Sequence, residues 1–172
     1  AVRVPKFTSI TTCKYIIDGM PDHFFKWYEY KGAKENRVSK IGIVQNEHKG
    51  DSLKKTHYFN NVENATQQRQ AVFRYSGDLL YYVMGFVKAA WGENVKIAEE
   101  DGNSPYFAGL IRSIGTGALH FDWAPLDAKG WIIEQISAQL TWNIYLQLGT
   151  KGGATKIYRR YGQEGDEKYK QA

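Results

Sequence analysis

The most regular feature of the chain is a set of apolar positions, Val72, Tyr75, Leu79, Val83, Phe86 and Ala90, that recur at three- and four-residue steps. That period is the one an α-helix needs to keep a single face buried. It predicts a helix over residues 65–92, "ATQQRQAVFRYSGDLLYYVMGFVKAAWG", with Gly92 placed to stop it and Gly77 and Gly85 weakening its interior. Upstream, short apolar pieces ("CKYIIDGM", "DHFFKWYEY", "RVSKIGIVQ") alternate with charged loops, the last of them followed by the polar stretch "NEHKGDSLKK". They specify neither helix nor strand strongly.

From residue 95 the pattern changes to short β-type runs: "VKIAEE", "PYFAGLIRSI", "GALHFDWAP", "ISAQLTWNIYLQL" and "ATKIYRRY". The turn signals "EDGNSP", "GTG", "LDAKG" and "GTKGG" separate them. Helices followed by strands predict an α+β fold: a helical N-terminal part, residues 1–94, packed on one side of an antiparallel β core, residues 95–172. With no internal repeat or low-complexity segment, a single domain over 1–172 is expected.

Composition narrows the class. The 172 residues are 42% hydrophobic and 15% aromatic, which suits a globular domain with a sizeable core. The 23 Lys and Arg exceed the 18 Asp and Glu, giving +5, but the charges are scattered rather than gathered in a run. Even the densest basic stretch, Lys156, Arg159, Arg160, Lys168 and Lys170, is interrupted by Glu164, Asp166 and Glu167, and reads as a solvated face. No nucleic-acid partner is expected. The single cysteine, Cys13, excludes an internal disulfide and a Cys-based zinc site, and fits a buried thiol in a reducing compartment. No apolar run has the roughly 18 residues of a membrane span, and "AVRVPKFTSI" lacks a signal-peptide core. The expectation is a soluble cytoplasmic protein.

Candidate chemistry lies in "GALHFDWAP", residues 117–125, where His120 and Asp122 stand at i and i+2. On a strand both side chains leave the same face. An imidazole and a carboxylate so placed make two of the three ligands of a 2-His-1-carboxylate site, which holds ferrous iron with open positions. The alternative is a strand residue followed by a turn residue, with no ligand role. Gly117 before the pair and Trp123, Ala124 and Pro125 after it put both residues where a strand meets a loop, as sites on β scaffolds require. Arg112 is a candidate bidentate partner for a carboxylate, or else a solvated surface cation. Asn143 is a candidate hydrogen-bonding group on the long run "LTWNIYLQL", and Trp123, Trp142 and Tyr145 are either pocket lining or core.

Taken together, "YFAGLIRSIGTGALHFDWAP" and "LTWNIYLQLGTKGGATKIY" resemble the double-stranded β-helix, a jelly-roll or cupin-like core, of the iron(II) and 2-oxoglutarate-dependent oxygenases. The likeness rests on the H-x-D pair, then a strand of the "NIYL" kind, then the G-G-x-T turn Gly152, Gly153, Ala154 and Thr155, over roughly residues 106 to 158. Within that family the chain looks most like bacterial and algal enzymes that tailor natural products or free amino acids. The resemblance implies Fe(II) held by His120 and Asp122, with 2-oxoglutarate and O2 as co-substrates and Arg112 and Asn143 as contacts to the cosubstrate. It also implies oxidation of an unactivated C–H bond of a small molecule. A carboxylate at position 122 fills the place that halogenating relatives leave open for chloride, so hydroxylation, desaturation or oxidative cyclisation is implied. The basic balance favours a carboxylate-bearing substrate.

The chain departs from the family pattern in one respect. The distal histidine and the cosubstrate-binding arginine of the family follow the G-G-x-T turn, yet no histidine follows His120 here, and His23, His48 and His57 all precede the motif. The chain is therefore expected to be an incomplete copy of a longer protein. Two other readings stay open. One is a non-enzymatic jelly-roll binding module in which His120 and Asp122 are structural; the other is a zinc or manganese cupin enzyme, which would need more histidines near the pair. Oligomeric state is not legible.

Overall fold

A computed structural model of the chain describes residues 2–29, 33–115, 117, 120 and 122–157. Its elements are helix α1 (Ile10–Asp18), strand β1 (Lys26–Trp27), strand β2 (Val38–Ile41), helix α2 (Ser52–Val72), helix α3 (Leu79–Trp91), strand β3 (Ile111–Ile114) and the short helix α4 (Ala124–Asp127). Single 3-10 turns cover Asp22–Phe24, Gln45–His48 and Ile132–Gln135.

Local sequence accounts for the helix ends. Ser9 caps α1 by accepting from Thr12 N at 2.9 Å, and Asp51 caps α2 by accepting from Lys54 N at 2.8 Å. Each satisfies a backbone donor that a helix start leaves open. The buried residues of α2, Tyr58, Val62, Ala65, Arg69 and Val72, follow one another at four- and three-residue steps. They form a single inward stripe on a helix that is otherwise polar.

The expected helix over 65–92 is two helices. The chain leaves α2 at Val72 and re-enters α3 at Leu79, where Asp78 Oδ1 accepts from Leu80 N at 3.0 Å. The apolar period runs through the break because Phe73 and Leu79 are both core residues, whereas Tyr75, within the turn, is 80% exposed. Gly92 ends α3 in the left-handed conformation, φ 79°, as the sequence implied.

The strands are antiparallel, in the order β1-β2-β3. The register pairs Lys26 with Lys40 and Trp27 with Ser39, then Ser39 with Ser113, Lys40 with Arg112 and Ile41 with Ile111. Every residue of the central strand β2 is buried. One face of the sheet carries Ile41 and Ile111 into a core with Ile16, Val72, Phe73 and Leu79. A second core joins Tyr58 and Val62 of α2 to Tyr106, Ala128 and Trp131, with Tyr58 and Trp131 edge to face at 5.3 Å.

The α+β class therefore holds, but the division into a helical part and a β core does not. Two of the strands come from the N-terminal region, and only β3 comes from the runs after residue 95. The run 136–148 forms no strand among the described residues, and 117–125 ends in α4 rather than continuing extended. The three strands among the described residues do not by themselves make up a double-stranded β-helix. The basic residues Arg159, Arg160, Lys168 and Lys170 lie outside them, whereas Lys156 is exposed. No helix among the described residues is long and apolar enough to cross a membrane.

Candidate functional site

The segment bearing His120 and Asp122 is fixed at both ends. Before it, β3 pairs with β2, and Gly115 N donates to Arg37 O at 3.1 Å. Gly115 packs so closely that a Cβ there would lie 2.7 Å from the Asn36 carbonyl oxygen. After it, Trp123 N donates to Asp127 Oδ2 at 3.3 Å, Ala124 N donates to Gln139 Oε1 at 2.9 Å, and Ala128 N donates to Ala124 O at 2.7 Å.

Beyond α4 the chain is clamped to α2. Lys55 donates to Gly130 O at 2.8 Å and pairs with Glu100. The other oxygen of Glu100 accepts from the Tyr106 hydroxyl and, at 3.0 Å, from Ile132 N. Burial pushes the Glu100 carboxyl up, but Lys55, Tyr106 and the Ile132 N–H together outweigh it and hold the group below the ordinary carboxylate range. Burial and the Glu100 carboxylate together raise the Tyr106 hydroxyl well above its ordinary value. Sequence reading did not single out this clamp, because its members lie far apart in the chain.

Between these anchors His120 Nε2 stands 3.9 Å from Asp122 Oδ2. The two side chains converge although neither residue is in a strand. Their side chains are 57% and 58% exposed. Adjacent donors about 2.0–2.2 Å from a first-row metal and at right angles to each other stand about 3 Å apart, so the pair would close by roughly 1 Å to hold one ion as neighbouring ligands. The described residues contain no group of three or more His, Cys, Asp or Glu able to hold a metal ion.

The other candidate residues are dispersed. Arg112 projects from β3 opposite Lys40, exposed, while Asn143 is exposed on the irregular run that precedes the glycine turn. Trp142 and Tyr145 are 42% and 53% exposed, so neither is core. The G-G-x-T turn does form: Gly152 and Gly153 both adopt positive φ, 73° and 78°, and the chain returns far enough for the Tyr145 and Thr155 hydroxyls to meet at 2.6 Å. That contact joins the "NIYL" and G-G-x-T elements.

Lys40 and Glu47 were not anticipated. Lys40 Nζ lies 2.5 Å from Glu47 Oε2, with side chains only 7% and 10% exposed, and the ammonium sits 4.4 Å from the centre of the Tyr28 ring. The second Glu47 oxygen accepts from Glu29 N at 2.8 Å, so the carboxylate is fully engaged. The sequence signal was present as Lys40 in an apolar strand with Glu47 seven residues on, but only the 3-10 turn Gln45–His48 brings them together.

No family model matches the chain, and no solved structure matches it. Two characterised proteins do. A protein of Purpureocillium lilacinum described as leucinostatins biosynthesis cluster protein S is 42% identical over 139 residues, covering 76% of this chain and 54% of that protein. The L-gamma-glutamyl-L-propargylglycine hydroxylase of Streptantibioticus cattleyicolor is 25% identical over 134 residues, 76% of this chain and 49% of the hydroxylase. The chain spans about half the length of these relatives, and over three quarters of its own length it is similar to a natural-product biosynthesis-cluster protein and, more distantly, to a hydroxylase.

Proposed function

We propose that the chain is part of an Fe(II) and 2-oxoglutarate-dependent oxygenase that oxidises an unactivated C–H bond of a small molecule in natural-product or amino-acid metabolism. The observation that carries this reading is the convergence of His120 Nε2 and Asp122 Oδ2 to 3.9 Å on a segment anchored at both ends. The likeness to a named hydroxylase and to a biosynthesis-cluster protein supports it. In this reading the three strands belong to a double-stranded β-helix, and the whole chain to one oxygenase domain.

His120 and Asp122 would hold Fe(II), with the carboxylate at 122 occupying a place that chloride would otherwise take. When bound, Fe(II) with 2-oxoglutarate and O2 supplies the oxidising power that side chains lack, for hydroxylation, desaturation or oxidative cyclisation. The chain's own contribution is positional. The Gly115–Arg37 contact and the Ala124–Gln139 hydrogen bond hold the residues that flank the pair. Arg112 and Asn143 are the proposed polar contacts to the cosubstrate.

The test is turnover by the full-length protein. With Fe(II), O2 and a panel of free amino acids and γ-glutamyl dipeptides, 2-oxoglutarate should be converted to succinate, and His120→Ala should abolish the conversion. Succinate formation that survives in His120→Ala would overturn the assignment.

A further inference from the structure

Helix α3 has a sequence that contradicts its surroundings. "LLYYVMGFVKAAW" is more apolar than α1 or α2 and carries a single charge, Lys88. A helix that is apolar on every side belongs inside a protein. Yet among the described residues only Leu79 of α3 is buried. Leu80, Val83, Met84 and Val87, at three- and four-residue steps, make the less exposed side and are partly buried. Tyr81, Tyr82, Gly85 and Ala89 make the other side and are exposed, the two tyrosines at 62% and 61%. Phe86 lies at the edge of that side, 38% exposed, with its ring 5.6 Å from that of Trp142.

The apolar surface continues from α3 onto the run 140–148. Ile144 and Leu146 pack against the core that holds Leu79, whereas Leu140 and Leu148 are exposed. Soluble proteins rarely leave so continuous an apolar surface open to water unless it is an interaction site. A membrane does not suit it. No helix among the described residues is long and apolar enough to span one, and a helix lying on a membrane surface needs a basic polar face, where α3 has Lys88 alone. The C-terminal stretch "YRRYGQEGDEKYKQA" is too rich in charge to supply an apolar cover.

We propose that the exposed side of α3 is an internal interface, covered in the full-length protein by the part of the polypeptide outside these 172 residues. The chain spans 54% and 49% of the two relatives it matches, so a protein built like them has about as much chain again to place against this half. Gly85 gives the contact its shape. A Cβ there would meet nothing within 4 Å, which leaves a notch between Tyr82 and Ala89 that admits a bulky apolar side chain from the covering part. The proposal goes beyond the oxygenase reading and needs no metal.

The experiment is hydroxyl-radical footprinting of wild-type full-length protein, read residue by residue from peptide masses and normalised to the same protein unfolded in urea. Tyr82 and Phe86 should react at least tenfold more slowly in the native protein, as the buried Tyr58 does. Native rates within tenfold of the unfolded ones would overturn the proposal.

A variant distinguishes the covering half from a second copy of the chain. Ala89→Glu in the full-length protein should lower the melting temperature by several degrees or prevent folding, with the mass by light scattering unchanged in whatever folds, while Gln70→Glu, exposed on α2, melts as wild type. A folded Ala89→Glu protein that melts as wild type at half the wild-type mass would give this side of α3 to a second copy and overturn the assignment.

Discussion

Glu100 accepts the hydroxyl proton of Tyr106, and through its other oxygen holds Lys55 of α2. Its carboxyl is held below the ordinary range, so the sign of the pH effect follows. The stabilisation is fully present above the ordinary carboxylate pKa and is lost as pH falls through the depressed folded value. Glu100→Gln should cost about 1–3 kcal/mol at neutral pH by leaving its partners short of an acceptor. Urea titrations at pH 7 and below pH 4.5 check it: the gap between wild type and variant should shrink in acid.

At the alkaline end the sign reverses. Burial raises the Tyr58 hydroxyl to about 12, offset in part by the N–H of Phe107, which donates to its oxygen at 3.0 Å. An unfolded tyrosine ionises near 10, so the stability that neutral Tyr58 contributes is complete below that pH and is lost as pH rises toward about 12. Thermal melts from pH 9 to 12 should show this decline. Tyr58→Phe should flatten it, and an unchanged slope in that variant would assign the decline elsewhere.

Arg69 and Asp78 form a buried ion pair, 4% and 12% exposed, that joins α2 to the start of α3 across the break at 73–78. Asp78→Ala removes both the helix cap and the counter-charge of a buried guanidinium, at a cost of about 3–5 kcal/mol. Asp78→Asn keeps a capping oxygen and should lose less. Denaturant midpoints of the two variants, compared with Arg69→Met, give the order.

Gly115→Ala should act on the site from its N-terminal flank. The added Cβ would lie 2.7 Å from the Asn36 carbonyl oxygen, a backbone atom that cannot swing aside. Either the turn before β2 or the exit of β3 must move. The expected result is a loss of about 1–3 kcal/mol of stability together with weakened metal binding at His120 and Asp122. Metal affinity equal to wild type in a folded variant would show that this anchor does not position the pair.

How far the sequence revealed these features depends on the range over which each is specified. Gly92, the buried position of Val72 and the Gly152–Gly153 turn were legible because each is set by neighbours within a few residues. The break between α2 and α3 was not. The apolar period continues across it in register, while Gly77 turns the chain at φ 76° and Asp78 both caps α3 and pairs with Arg69. The sheet was misplaced for a related reason. β1 is two residues long, too short for any alternation to show, while the alternating run 136–148 finds no strand partner among the described residues. The pairing of His120 with Asp122 was legible as i, i+2 spacing, although neither residue lies in a strand.

The most direct measurement is an anaerobic titration of the full-length protein with Fe(II) and 2-oxoglutarate, following the weak visible metal-to-ligand charge-transfer band in wild type, His120→Ala and Asp122→Ala. The expected result is a saturable band in wild type that both substitutions abolish. No band in folded wild-type protein, or a band that persists in either variant, would contradict the iron site and leave His120 and Asp122 as structural residues of a binding module.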